Sequence, residues 1–217
     1  MKDLAPLIDH TLLREDATEQ DVARTAEEAL RHGFAGVCVR PAWIPRVAAA
    51  LRGTAVLPVA VVDFPRGRGS TQERVDEARR VVAEGAREVD VVFPLDRLSQ
   101  RDLRGALADL QAIVRVSEPA TVKVILETGA LTEPDKAVAA AIAAAAGAAF
   151  VKTSTGFGPG GATEADVALL RQVVGASVGV KASGGIRTKA DALRMVRAGA
   201  NRLGTSAGVA IVTADAG

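Results

Sequence analysis

Two rhythms of apolar and polar positions take turns along this chain. Short, near-continuous apolar runs read as strands covered on both faces. Between them lie stretches with apolar residues three or four apart, the pattern of a helix with one buried stripe. The first strand spans Leu7-Ile8-Asp9-His10-Thr11-Leu12-Leu13, with polar residues inside it. Thr18-Glu19-Gln20-Asp21 then reads as close to a capping box, and Val22, Ala26, Ala29 and Leu30 form a helical stripe that Gly33 ends. Further strands are predicted at Gly36–Val39, Ala55–Val62, Glu88–Phe93, Thr121–Leu126, Phe150–Thr153, Val178–Lys181 and Asn201–Thr205. Helices are predicted at Ile44–Leu51, Thr71–Ala83, Ser99–Val116, Glu133–Ala146, Thr163–Val174 and Thr188–Ala198, with a last short one from Ser206. The Ser99–Val116 helix carries a stripe at Leu103, Leu107, Leu110 and Val114.

Eight strand–helix units without a linker or a composition break predict one domain over 1–217. Its class is α/β, a closed (β/α)8 TIM barrel. An open doubly wound sheet is the competing architecture, but no early G-x-G-x-x-G turn supports it. Bulk composition narrows the function. Net charge is +1 with both signs interspersed, and aromatics are only 3%, so neither a nucleic-acid footprint nor a polybasic membrane surface is expected. The most apolar segment, Ala137 to Val151, is too short for a bilayer span and is interrupted by Gly147. One cysteine, Cys38, cannot form an intrachain disulfide, and the opening residues lack the apolar run of a signal peptide. A soluble cytoplasmic protein is expected.

The chemistry concentrates in Phe150-Val151-Lys152-Thr153-Ser154-Thr155-Gly156. A lysine inside a buried strand is costly unless it is paired or gives up its proton. A desolvated free amine is a nucleophile toward carbonyls. Lys181 recurs one strand later in Val178-Gly179-Val180-Lys181-Ala182-Ser183-Gly184-Gly185. Strand alternation puts Asp9 with Thr11, Asp90 with Glu88, Lys123 with Glu127, and Lys181 with Ser183 on common faces. If these faces point inward, Asp9, Asp90, Lys123, Lys152 and Lys181 meet at the barrel mouth, and Asp63 and Cys38 are further candidates. Taken singly, each is a solvated strand end or a structural ion pair; as a set they are candidate machinery. Flanked by Phe150 and Val151, with no acid in its own strand and facing Lys181, Lys152 is expected to be the free amine. Lys123 should sit deeper, among carboxylates. Lys181 should be held charged by a phosphate bound at the glycine turn that follows it.

A second signal follows the last two strands. Ser183-Gly184-Gly185-Ile186-Arg187 and Gly204-Thr205-Ser206-Ala207-Gly208 are glycine turns where this fold commonly binds phosphate. A helix N-terminus at Ser206 would add its dipole.

These segments, with Ile8-Asp9-His10-Thr11-Leu12-Leu13, Glu88-Val89-Asp90-Val91-Val92 and Val122-Lys123-Val124-Ile125-Leu126-Glu127-Thr128-Gly129, resemble the deoxyribose-phosphate aldolase family over nearly the whole chain. The resemblance implies a class I aldolase that interconverts 2-deoxy-D-ribose 5-phosphate with D-glyceraldehyde 3-phosphate and acetaldehyde. It implies Lys152 as the Schiff-base lysine and Asp90 with Lys181 as the proton-transfer pair. Asp9, Thr11, Lys123 and Thr155 are the supporting residues. Gly156, Gly184, Gly185, Arg187, Gly204 and Ser206 are the candidate phosphate site. No cofactor and no metal are expected, since His10, His32 and Cys38 do not make a zinc-ligand set. The expected partners are a phosphorylated sugar and small aldehydes, with neither nucleic acid nor membrane, in a homo-oligomer, dimer or tetramer. Two loops depart from the family pattern: Asp63-Phe64-Pro65, where a glycine is more usual before Phe-Pro, and Val92-Phe93-Pro94. With no Tyr in the chain, the C-terminal tyrosine that some members place near the phosphate has no counterpart. The same residues also fit a phosphate-binding isomerase or synthase using Asp90 and a lysine only as acid and base, or a sugar-phosphate sensor without turnover.

Overall fold

The eight apolar runs pair in parallel, each with the next, and the last closes on the first to make an eight-stranded barrel. The computed structural model describes residues 3–214. Its strands are β1 (Ile8–Leu12), β2 (Gly36–Val39), β3 (Leu57–Val62), β4 (Glu88–Val92), β5 (Thr121–Ile125), β6 (Phe150–Lys152), β7 (Gly179–Ser183) and β8 (Arg202–Thr205). The helices between and after them are α1 (Glu19–His32), α2 (Ile44–Ala50), α3 (Thr71–Ala83), α4 (Leu95–Ser99), α5 (Leu103–Ser117), α6 (Glu133–Ala145), α7 (Glu164–Val174), α8 (Lys189–Ala198) and α9 (Gly208–Thr213). No helix among the described residues is long and apolar enough to cross a membrane.

Each strand divides its side chains between two cores. Ile8, Val37, Val39, Ala60, Val62, Val89, Val91, Val124, Val151, Val180 and Leu203 point outward and pack under the helices. The intervening positions point into the barrel. There, Leu13, Cys38, Val59 and Val61 form a small apolar cluster with Phe64 against it. Charged side chains share that interior, with Ile125, Val92 and Ser183 among them. Register places Asp90 beside Lys123, Lys152 beside Lys181, and Lys181 beside Arg202.

Helix starts follow their polar signals. Thr18 with Asp21, Ser70 with Glu73, and Thr188 with Asp191 each make a full capping box, worth about 1 kcal/mol apiece. Thr163 caps α7 through the Asp166 N–H alone.

The predicted Ser99–Val116 helix is in fact two. Arg101 takes a left-handed φ of 59° and Asp102 caps a fresh start at Leu103 by accepting from Gly105 N. The stripe turns as well: α5 buries Ala106, Asp109, Leu110, Ile113 and Ser117, while Leu103 is exposed. The reason is a buried ion cluster outside the barrel. Arg74 on α3 is buried; its Nη1 donates to Asp63 Oδ2 at 2.9 Å and its Nη2 to the Val92 carbonyl at 2.6 Å. Its Nε lies 3.2 Å from Asp109 Oδ2, and Thr71 donates to Asp109 at 2.6 Å.

Asp63, expected as a candidate for the mouth, belongs to this cluster instead. Its φ is 50°, which explains why a glycine suits the position. Asp tolerates the strain because its carboxylate accepts from Arg68 N and Gly69 N at 3.2 and 3.1 Å. Phe93 packs outward in the main core and Pro94 caps α4.

Candidate active site

The barrel interior holds one continuous network of charge. Asp90, mid-strand in β4, accepts from three lysines: Lys123 at 3.0 Å on Oδ1, then Lys152 at 2.9 Å and Lys181 at 2.7 Å, both on Oδ2. Asp9 on β1 accepts from Lys181 at 2.5 Å and lies 3.7 Å from Lys123. Below them, at the N-terminal ends of the strands, Lys123 meets Glu88 at 2.6 Å. Arg202, the first residue of β8, donates to Asp9 at 2.7 Å and to Glu88 at 2.9 and 3.3 Å. Its guanidinium also lies over the Phe150 ring, 5.2 Å from the centroid.

Burial and charge oppose each other here, and charge wins. Burial alone pushes the Asp90 carboxyl up, but Lys123, Lys152 and Lys181 hold it well below the usual range. Burial does the same to Asp9, and Lys181, Lys123 and Arg202 bring it down to about 2. For Lys181 burial pulls the ammonium down, and Asp9 and Asp90 overcome it, leaving it firmly protonated. Two carboxylates thus hold the charge expected on Lys181. Cys38 faces the same interior as a neutral thiol, pushed up to about 11 by burial first and by Asp90 second.

Above the network a cleft of about 340 Å³ opens at the C-terminal ends of β6, β7, β8 and β1. Lys152, the last residue of β6, lines it; Lys123 and Lys181 do not, and both are fully buried. The supporting residues Thr11 and Thr155 also line it. Thr155 donates its hydroxyl to the buried Glu127, which itself takes a left-handed φ of 55°. All six candidate phosphate residues line the same cleft: Gly156, Gly184, Gly185, Arg187, Gly204 and Ser206. The helix after them starts at Gly208, not at Ser206, and is a short one. Phe157 forms the rim. It stands edge-on to Phe64 at 5.3 Å, and the Arg40 guanidinium lies within 6.0 Å of both rings.

The expected set Asp9, Asp90, Lys123, Lys152 and Lys181 is brought together, but below the mouth: of the five, Lys152 alone lines the cleft. One detail differs: Lys152 does have an acid, Asp90 from β4, although none lies in its own strand. Arg202 and the part played by Glu88 were not anticipated. The signal was present in the two-residue alternation, since Arg202 shares a face with Gly204. Among the described residues no group of three or more His, Cys, Asp and Glu side chains is arranged to hold a metal ion.

Known proteins match the chain over nearly its whole length. The DeoC/LacD family aldolase model matches residues 4–214. A deoxyribose-phosphate aldolase from Bacillus cytotoxicus is 46% identical over 213 residues, 98% of this chain and 96% of that protein. One from Brevibacillus brevis is 47% identical over 206 residues, 95% of this chain and 93% of that protein. Among solved structures, the tetrameric deoxyribose phosphate aldolase from Aeropyrum pernix superposes with a TM-score of 0.90 at 34% identity, covering 96% of this chain and 89% of that one.

Proposed function

The chain belongs to the DeoC/LacD family of aldolases, and we propose that Lys152 is the lysine that carries its substrate as an imine. The activity is that of a deoxyribose-phosphate aldolase, a carbon–carbon lyase. It reversibly cleaves 2-deoxy-D-ribose 5-phosphate to D-glyceraldehyde 3-phosphate and acetaldehyde. The observation that carries the lysine assignment is access: of Lys123, Lys152 and Lys181, only Lys152 lines the cleft. Lys152 also has the fewest carboxylate contacts of the three, one against two for Lys181 and three for Lys123.

The open-chain sugar enters with its phosphate toward the turns after β7 and β8 and its C1 aldehyde toward Lys152. The neutral Lys152 amine adds to C1. The carbinolamine loses water and becomes a protonated imine, with protons moving between Lys152, Asp90 and Lys181 along contacts of 2.9 and 2.7 Å. A base, Asp90 acting directly or through water, takes the proton of the C3 hydroxyl. The C2–C3 bond breaks, its electron pair moves into the iminium to form an enamine, and C3 becomes the aldehyde of glyceraldehyde 3-phosphate. Protonation of C2 and hydrolysis of the imine release acetaldehyde and restore the amine. The iminium is the electron sink, so this reading needs no metal or other cofactor.

Asp90 alone is a weak base, because the ammonium groups of Lys123 and Lys181 stabilise its charge. Its proton transfers therefore run in concert with Lys181. Thr155 and Glu127 form the wall beside Lys152, and Lys123 and Asp9 hold Asp90 and Lys181 in place. The partners are the sugar phosphate and small aldehydes. A homo-oligomer in the cytoplasm completes the reading; the tetrameric Aeropyrum pernix relative supports the first part, and the single, buried Cys38 supports the second.

Borohydride reduction with acetaldehyde, followed by peptide mass mapping, tests the assignment. The adduct is expected on the peptide carrying Lys152, and Lys152→Leu should abolish both turnover and trapping. An adduct on Lys181 or Lys123 would reject it, and no adduct at all would favour acid–base chemistry without an imine.

A further inference from the structure

The interior network contains more cations than its chemistry uses. All seven other strands bring side chains to the interior that Lys152 shares. β1 contributes Asp9, β4 Glu88 and Asp90, β5 Lys123, β7 Lys181 and β8 Arg202. β2 contributes the neutral thiol of Cys38, and β3 only Val59 and Val61. Glu127 sits higher, at the mouth, bonded to Thr155. Below the mouth, three carboxylates thus face four cationic side chains, Lys152 included. An arginine cannot shed its proton, and Lys123 and Lys181 each touch at least two carboxylates. This set of seven side chains is neutral only when Lys152 is the free amine.

We propose that Arg202 and Glu88, which touch neither Lys152 nor the cleft, set the proton occupancy of Lys152 by fixing the charge of the barrel interior. Arg202 is the fourth cation, and its contacts with Asp9 and Glu88 pin it in the network. Both are positioning residues: Arg202 acts through the chain Arg202–Asp9–Lys181–Asp90–Lys152, whose successive contacts are 2.7, 2.5, 2.7 and 2.9 Å, and Glu88 through Lys123 and Asp90, at 2.6 and 3.0 Å. Without Arg202 the interior becomes neutral with Lys152 protonated, and the nucleophile is withdrawn. Without the Glu88 charge the interior carries one positive charge already, and Lys152 is driven further toward the amine. The inference rests on Lys152 being the imine lysine.

The test is the pH dependence of Lys152 trapping by acetaldehyde and cyanoborohydride, scored on the Lys152 peptide. Acetaldehyde has no titrating group, so the acid limb belongs to the protein. For R202Q the limb should move to higher pH, and for E88Q to lower pH, each by roughly one unit. R202Q/E88Q should return it near the wild-type position, and R202K, which keeps the charge, should leave it there. A purely structural role would lower the trapping rate and leave the limb where it was. Unmoved limbs, or movement of R202Q and E88Q in the same direction, would overturn the proposal. If R202Q does not fold, E88Q decides alone: a limb at lower pH supports it, and any other position overturns it. Mapping of the wild-type adduct to another lysine is a different failure, that of the imine assignment itself.

Discussion

Replacing Asp9 by Asn removes one charge from the middle of the network and leaves the side chain's size unchanged. Asp9 is fully buried, with Lys181 on one oxygen at 2.5 Å and Arg202 on the other at 2.7 Å. Unpairing buried cations in this way costs about 3 to 5 kcal/mol. Part of that cost depends on pH. Burial works against the carboxylate, but Lys181, Lys123 and Arg202 hold it at about 2, against an ordinary value of 3.8. A carboxyl depressed on folding adds stability above its unfolded value and loses it as pH falls through its folded value. The depression corresponds to about 2 kcal/mol, of which about 1 kcal/mol is already gone at pH 3. Urea unfolding of wild type and Asp9→Asn at pH 7, 5 and 3 measures the gap directly. It should be constant between pH 7 and 5 and narrower at pH 3. A gap below about 1 kcal/mol at pH 7, or one that widens toward pH 3, would refute the electrostatic account of Asp9.

Gly204→Ala should lower kcat by about ten- to a hundredfold with little change in fold, because a Cβ there would lie 2.9 Å from Ser183 Cβ and 3.1 Å from Lys181 Cε; single-turnover kinetics would show it. Ser206→Asp puts a negative charge into the candidate phosphate turns, so KM for the phosphorylated sugar should rise at least about tenfold while acetaldehyde trapping at Lys152 is retained. An unchanged KM would place the phosphate elsewhere. Arg74→Met should lower stability by about 3 kcal/mol or more, since it strands Asp63 and Asp109 and frees the Val92 carbonyl; thermal unfolding checks this, and the folded fraction should still trap aldehyde at Lys152.

The barrel was legible because parallel strands buried on both faces leave an unbroken apolar run, and a lysine inside such a run stands out. Lys123, Lys152 and Lys181 were found that way. Arg202 was not, because Asn201-Arg202 at the start of an apolar run looks like a solvated strand end. Only pairing with β1 and β7 reveals that it turns inward, toward Asp9 and Glu88. Asp63 misled for the opposite reason. Strand alternation carried it to the mouth, but a left-handed backbone and the buried Arg74 turn its carboxylate out of the barrel. The break between α4 and α5 was hidden because the stripe Leu103, Leu107, Leu110 and Val114 lies wholly beyond it and does not mark where the helix begins. The local cue was Asp102, a capping residue three before Gly105.

The placement of these groups along β8 bears on how one of three similar lysines is selected. Arg202 lies at the bottom of that strand, Gly204 beside Lys181, and Ser206 just above it in the turn that lines the cleft. A substrate with its phosphate near Ser206 and the β7 turn reaches into the cleft, and the first amine it meets is Lys152. Lys181 is nearer to β8, yet it is fully buried and held by Asp9 and Asp90. It can supply charge and protons but not a lone pair to a carbonyl carbon. Gly204 is small because Lys181 passes close to that backbone on its way to the two carboxylates. In the proposed mechanism one strand thus links the charge of the interior, the position of the proton donor and the turn assigned to the phosphate. On that proposal, selection of Lys152 follows from access above and charge below, and each can be altered without touching Lys152 itself.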